Sequence, residues 1–296
     1  MDLTIECVLF ITGLVFGSFL NVCISRIPRE QSVVSPGSHC PSCGASVRWR
    51  DNIPLLSWAL LRGRCRHCRA PISWRYPAVE LLTGTLFSAC FPYFGASWLT
   101  LKLCIFCFLL VGLIFMDAET GLLPREFTYS GIVLGFVLSW VAPTDTAGTQ
   151  FLLRLYDASL SSKGLALLDA ALGALVGAGF FYLAWAVYYL VRKRHGMGFG
   201  DVALMAMAGT FLGLKLTLLV SFCAPVLAML YSILILAVPA LRATALGSEF
   251  NAGPDVGARD SFLTHEIPFG VFLGACSLGA VFFGEWMWRW YLGFFR

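Results

Sequence analysis

The stretch CIFCFLLVGLIFMD, residues 104–117, decides the fold. From Cys104 to Met116 no side chain is polar, and the run then ends on an aspartate, Asp117. Together with the residues before it, the run fills a segment at 98–116, close to the ~20 residues a helix needs to cross the hydrocarbon core of a bilayer. Working outward, seven further apolar segments fall at 4–24, 77–95, 127–142, 165–191, 202–214, 216–241 and 268–290. Composition agrees. Of 296 residues 58% are hydrophobic and only 13% charged, and the mean hydropathy is +0.77. A soluble domain carries about 25% charged residues. The chain is expected to be an all-α polytopic membrane protein of about eight transmembrane helices. The first apolar stretch is followed by arginines rather than a small-residue cleavage site, so it reads as a retained helix.

Charge sets the orientation. The segment 25–76 carries nine arginines, and lysine and arginine favour the cytoplasmic side. Counting helices onward puts the turns 117–126, 192–201 and 242–266 on that side too, which collects fifteen of the 21 basic residues there. The net charge of +4 is accounted for by topology, and no nucleic-acid partner is expected. The expected organisation is a first helix at 1–24, a cytoplasmic zinc-binding domain at 25–76 and a transmembrane catalytic domain at 77–296. Within the second, Cys40-Pro-Ser-Cys43 and Cys65-Arg-His-Cys68 form two Cys-x-x-Cys knuckles. Four thiolates so spaced suit one tetrahedral Zn²⁺, and a reducing cytosol disfavours disulfides. Four protein ligands leave no open position, so the expected zinc is structural. Gly44 suits the turn that follows the first knuckle. The other cysteines lie in apolar segments and read as packing residues.

Two acids stand at membrane edges. Asp117 closes the apolar run, and Asp201 opens the sixth segment after Gly198-Phe-Gly200. The charge count puts both at the same cytoplasmic boundary. Ionisable groups in spanning helices are functional candidates by default. Brought together, two carboxylates share a proton, so that one activates a water and the other polarises a scissile carbonyl. Gly198 and Gly200 lack Cβ and allow an extended peptide to approach closely. Taken singly, each aspartate also reads as an interfacial residue, Asp201 as a helix cap, whereas Asp117 opposes its own helix dipole. Glu119 competes for the role of Asp117. Glu80 is expected to pair with a loop arginine, and Glu119, Glu126 and Glu266 to assist with basic substrates.

At these residues the chain resembles a known family. Gly198-Phe-Gly200-Asp201 matches the Gly-x-Gly-Asp signature of intramembrane aspartyl proteases. The remaining motifs resemble the bacterial type IV prepilin peptidases: Gly17-Ser-Phe-Leu-Asn21 with Arg26-Ile-Pro28, the two knuckles, Asn52-Ile-Pro-Leu-Leu-Ser57-Trp58, Ile72-Ser-Trp-Arg75-Tyr-Pro77, Asp117 with Leu123-Pro124, and Ile267-Pro268-Phe-Gly270. The resemblance implies an endopeptidase of the bacterial inner membrane that removes short basic leaders from type IV prepilins or type II secretion pseudopilins at Gly-Phe junctions. It further implies N-methylation of the new terminus with S-adenosylmethionine. The implied catalytic pair is Asp117 and Asp201, with Gly198, Gly200, Pro268 and Gly270 as site backbone and Cys40, Cys43, Cys65 and Cys68 as zinc ligands. Arg125, His195 and Ala203 depart from the family pattern. The competing readings are a protease-only member, a methyltransferase alone, and a zinc-stabilised membrane scaffold without catalysis. A transporter is disfavoured because the segment midplanes carry little charge.

Overall fold

A computed structural model describes residues 2–155, 160–193, 198–237 and 268–293. Among these residues the chain is helical and has no strand. Helix α1 spans Asp2–Arg26, α2 Leu56–Leu60, α3 Arg75–Phe94, α4 Trp98–Thr120 and α5 Arg125–Val141. Helix α6 spans Ala147–Leu155, α7 Ser162–Arg192, α8 Phe199–Ala237 and α9 Phe269–Gly293. Five stretches are long and apolar enough to cross a bilayer: Asp2–Arg29, Trp98–Thr120, Ser162–Arg192, Phe199–Ile235 and Phe269–Tyr291. The shorter α3 and α5 pack among them.

Helix α8 breaks at Gly213, whose φ of 74° and ψ of 179° are not helical. The two limbs, 199–212 and 214–237, correspond to the sixth and seventh predicted segments. With α1, α3, α4, α5, α7 and α9 they fall at the positions of the eight predicted segments. Glycine suits the break because an L side chain meets steric resistance at positive φ.

Two helices organise the bundle. Helix α4 contacts α1, α3, α5 and α9, and α8 contacts α5, α7 and α9. Between them Phe106 stacks on Phe211, ring centroids 4.7 Å apart and both rings fully buried. In lipid the hydrophobic effect does not drive helices together, so close backbone contact has to do it. The tightest example is α7 on α8. A Cβ on Gly173 would lie 2.8 Å from the Gly213 carbonyl carbon, and one on Gly209 would strike the Gly173 backbone. Helix α4 is capped at both ends. Ser97 Oγ accepts from Thr100 N–H at 3.3 Å to start α4, and Gly121 in the left-handed region ends it. An N-cap of this kind contributes about 1 kcal/mol.

Candidate functional site

Asp117 lies in the last turn of α4 and Asp201 in the first turn of α8. Both side chains are buried, at 5% and 6% exposure. Asp117 stands at the negative end of its own helix dipole. That position is offset by α9. Its N-terminus points at the same carboxylate, and Val271 N–H donates to Asp117 Oδ2 at 2.9 Å. The first N–H groups of a helix have no intrahelical partner, so Asp117 caps α9 from another helix.

The predicted glycines take part in this packing. A Cβ on Gly270 would sit 2.9 Å from Asp117 Oδ2 and 3.1 Å from Leu123 Cδ1. One on Gly200 would sit 2.8 Å from Leu123 Cβ. Leu123 therefore bridges the turn that carries Asp117 to the turn that carries Asp201. Gly200 and Gly270 are glycines because the protein itself needs the room. Gly198 differs. It is exposed, a Cβ there would meet nothing closer than 3.9 Å, and its carbonyl accepts from Asp201 N–H at 3.2 Å. Pro268 accepts from Val271 N–H at 3.3 Å, at the start of α9.

Other acids behave differently from expectation. Glu119 is held by Arg75, Oε2 to Nη1 at 2.5 Å. Glu80 takes the Leu55 N–H at 2.8 Å rather than a loop arginine. Glu126 is exposed in the first turn of α5. His195 and Glu266 lie outside the described residues.

The four cysteines of the α1–α3 segment converge. Their Sγ atoms all lie within 4.8 Å of one another, and Cys40 and Cys68 are 3.8 Å apart. Thiolates placed ~2.3 Å from a tetrahedral Zn²⁺ would be about 3.8 Å apart, so the donor set fits zinc in kind and in size. The two knuckles repeat one backbone pattern. Cys40 N–H donates to Ala45 O at 2.9 Å and Cys65 N–H to Ala70 O at 2.8 Å, while Gly44 and Arg69 both turn through positive φ. The N–H groups of Cys43 and Ser42 pull the Cys40 thiol down to about 6, which favours the thiolate a metal requires.

Between these knuckles, α1 and α3 lies a cavity of about 620 Å³. Two buried polar atoms in its lining have no partner, the acceptor Asn21 Oδ1 and the donor Arg75 Nε. The residue carrying that donor, Arg75, is paired with Glu119, two residues after Asp117 in the same last turn of α4, so cavity and Asp117 share one end of the bundle.

Sequence reasoning missed Leu123 as the bridge and Val271 as the donor. It also missed a second polar cluster at the other end of α4, where Lys102, Asp169 and Lys215 are buried. Lys215 Nζ meets Glu285 at 2.7 Å and Asp145 at 2.9 Å. Burial works against the Asp145 carboxylate, but Lys215 and the Ala147 N–H hold it below the usual range.

Residues 11–94 match the family profile described as the bacterial peptidase A24 N-terminal domain, and residues 104–233 match the type IV leader peptidase family. A prepilin leader peptidase/N-methyltransferase of Myxococcus xanthus is 43% identical over 69% of this chain and 55% of its own length. Proteins of the same name from Neisseria gonorrhoeae and Aeromonas hydrophila are 34% and 32% identical. The first alignment covers 82% of this chain and 84% of the relative, the second 96% and 92%. No solved structure matches.

Proposed function

The chain belongs to the type IV leader peptidase family, and from that premise we propose that it is an aspartyl endopeptidase of the bacterial inner membrane that removes basic leaders from prepilins or pseudopilins. The observation that supports this reading is that Asp117 and Asp201 are both buried, in turns that close on the same residue, Leu123. One carboxylate takes a proton from a water and the other donates one to the scissile carbonyl oxygen. The water oxygen bonds to the carbonyl carbon; the tetrahedral intermediate then collapses, the C–N bond breaks, and the carboxyl that took the water's proton passes it to the departing nitrogen. The Val271 N–H fixes Asp117 Oδ2, which orients the other oxygen for this work. Gly198 gives the extended substrate backbone its approach. The substrate's apolar helix stays in the membrane, while the leader lies at the cytoplasmic surface, where Glu126 offers a negative charge to its lysines.

The zinc would be held by Cys40, Cys43, Cys65 and Cys68 and would fold the α1–α3 segment, which is too small to bury a core of its own. Methylation belongs to the same reading. S-adenosylmethionine supplies, when bound, a methyl group that an amine nitrogen displaces from sulfur. The cavity at the knuckles falls within the ~300–1,000 Å³ of ordinary ligand sites. Its unpaired Arg75 donor and Asn21 acceptor suit the carboxylate and ammonium of that ligand's amino-acid end.

The test uses purified protein with a peptide bearing a lysine-rich leader, a Gly-Phe junction and an apolar tail. Mass spectrometry should find the chain cut between Gly and Phe and, with the donor added, the new terminus heavier by one methyl group. Cutting without methylation would leave the protease-only reading. An intact peptide would favour the scaffold.

A further inference from the structure

The cluster remote from the aspartates surrounds the break in α8, and its contacts divide between the two limbs. On one side, Asp169 of α7 is buried at 1% exposure and its Oδ1 accepts Leu214 N–H at 3.3 Å. Leu214 opens the second limb, and its N–H has lost its helical partner because Gly213 is not helical. Thr149 of α6 holds the same oxygen at 2.5 Å. On the other side, Ser139 of α5 donates to Thr210 O, in the last turn of the first limb, at 2.9 Å. Lys102 stands behind it, its Nζ donating to Ser139 Oγ at 3.0 Å and to Ala142 O at 3.3 Å. Thr217 Oγ1 donates to Gly213 O at 2.6 Å. The groups freed by the break are therefore met by side chains from α5, α7 and α8 itself. A Cβ at position 213 would run into the Asp169 carboxylate, so glycine, break and acid belong to one arrangement.

The first limb is a short rod with this clamp at one end and Asp201 at the other. Gly213 follows Asp201 by twelve positions, about 18 Å at helical rise. Nearly every residue between them is buried, so the rod has no slack in which to absorb a displacement. We propose that Asp169 is a positioning residue for cleavage: by capping the second limb at Leu214 it pins the break in α8 and so sets the height at which Asp201 meets Asp117. This rests on the reading of Asp201 as one of the reacting pair.

The geometry asks Asp169 for an acceptor oxygen at Leu214 rather than for its charge, which separates this role from a general need for a buried ion. Cleavage kinetics on the leader peptide test it, with folding followed by thermal melting in detergent. Asp169→Ala should lower kcat by roughly tenfold to a hundredfold, the scale of a misplaced catalytic group, with KM unchanged. Asp169→Asn keeps the acceptor and should restore kcat. Leu214→Pro removes the donor at a first helical position, which tolerates proline, and should lower kcat as Asp169→Ala does. The two together should cost no more than one alone. Wild-type kcat in Asp169→Ala or Leu214→Pro, additive losses, or failure of Asp169→Asn to restore, each overturns the proposal. If Asp169→Ala does not fold, Leu214→Pro and Asp169→Asn decide between the same outcomes. Asp201→Asn is run alongside. If it cuts normally the underlying reading fails, and if it is dead while the Asp169 variants are normal only the positioning role fails.

Discussion

Asp117 occupies a position that helix electrostatics alone would reject, the negative end of α4, and is made tenable by the start of α9. The contact spans 154 residues of sequence, so no local pattern announces it. The burial of both aspartates at helix ends was legible, because Asp117 closes one apolar segment and Asp201 opens another. The packing around the glycines was legible only in part. Gly198 is open, as substrate approach requires, but Gly200 and Gly270 are spent on Leu123 and Asp117. Gly270→Ala should therefore act on the chemistry rather than on substrate access. The added methyl would press on Asp117 Oδ2 and should lower kcat by about a hundredfold. Steady-state kinetics would show KM nearly unchanged, and a rise in KM alone would point to substrate contact at Gly270. Glu126→Lys should act in the opposite way, raising KM for a lysine-rich leader and leaving kcat alone.

At the scale of elements, the four-cysteine module and the broken helix differ in how far sequence reveals them. Two Cys-x-x-Cys knuckles carry their own geometry, and the four sulfurs meet where the spacing implied. Cys65→Ser should cut bound zinc, measured by atomic emission, and loosen the cavity wall that contains Arg75. Donor binding, followed by calorimetry, should fall with it, while peptide cleavage persists. Loss of cleavage with intact zinc would contradict that division of labour. Thiolate ligands must be deprotonated to hold the metal, so acidification should release zinc as the cysteines take up protons. The break in α8 was legible as two segments around a glycine, but its reason was not. Asp169, Ser139 and Lys102 reach it from three other helices, and each alone reads as a polar residue near a helix end. Helix α6 was missed because nine residues within a mixed loop give too short a period to read.

At the scale of the molecule, charge and geometry converge on one end of the bundle. The arginine-rich segment, the cavity, the Arg75–Glu119 pair and both aspartates gather there. If that end faces the cytoplasm, the labelling by an impermeant maleimide that Val34→Cys adds over the wild type, whose Cys7, Cys43 and Cys68 are themselves exposed, should come only from the inner side of oriented vesicles. Labelling from outside would invert the topology. Cleavage by a buried acid pair is the claim on which the rest depends, and comparing wild type with Asp117→Asn and Asp201→Asn on the leader peptide tests it most directly. Each substitution keeps the shape and removes the exchangeable proton. Each should cost about 10²–10⁴-fold in kcat, the range of general acid–base catalysis, with melting temperatures unchanged. Near-full activity in either folded variant would make that aspartate an interfacial residue and leave the paired mechanism without support.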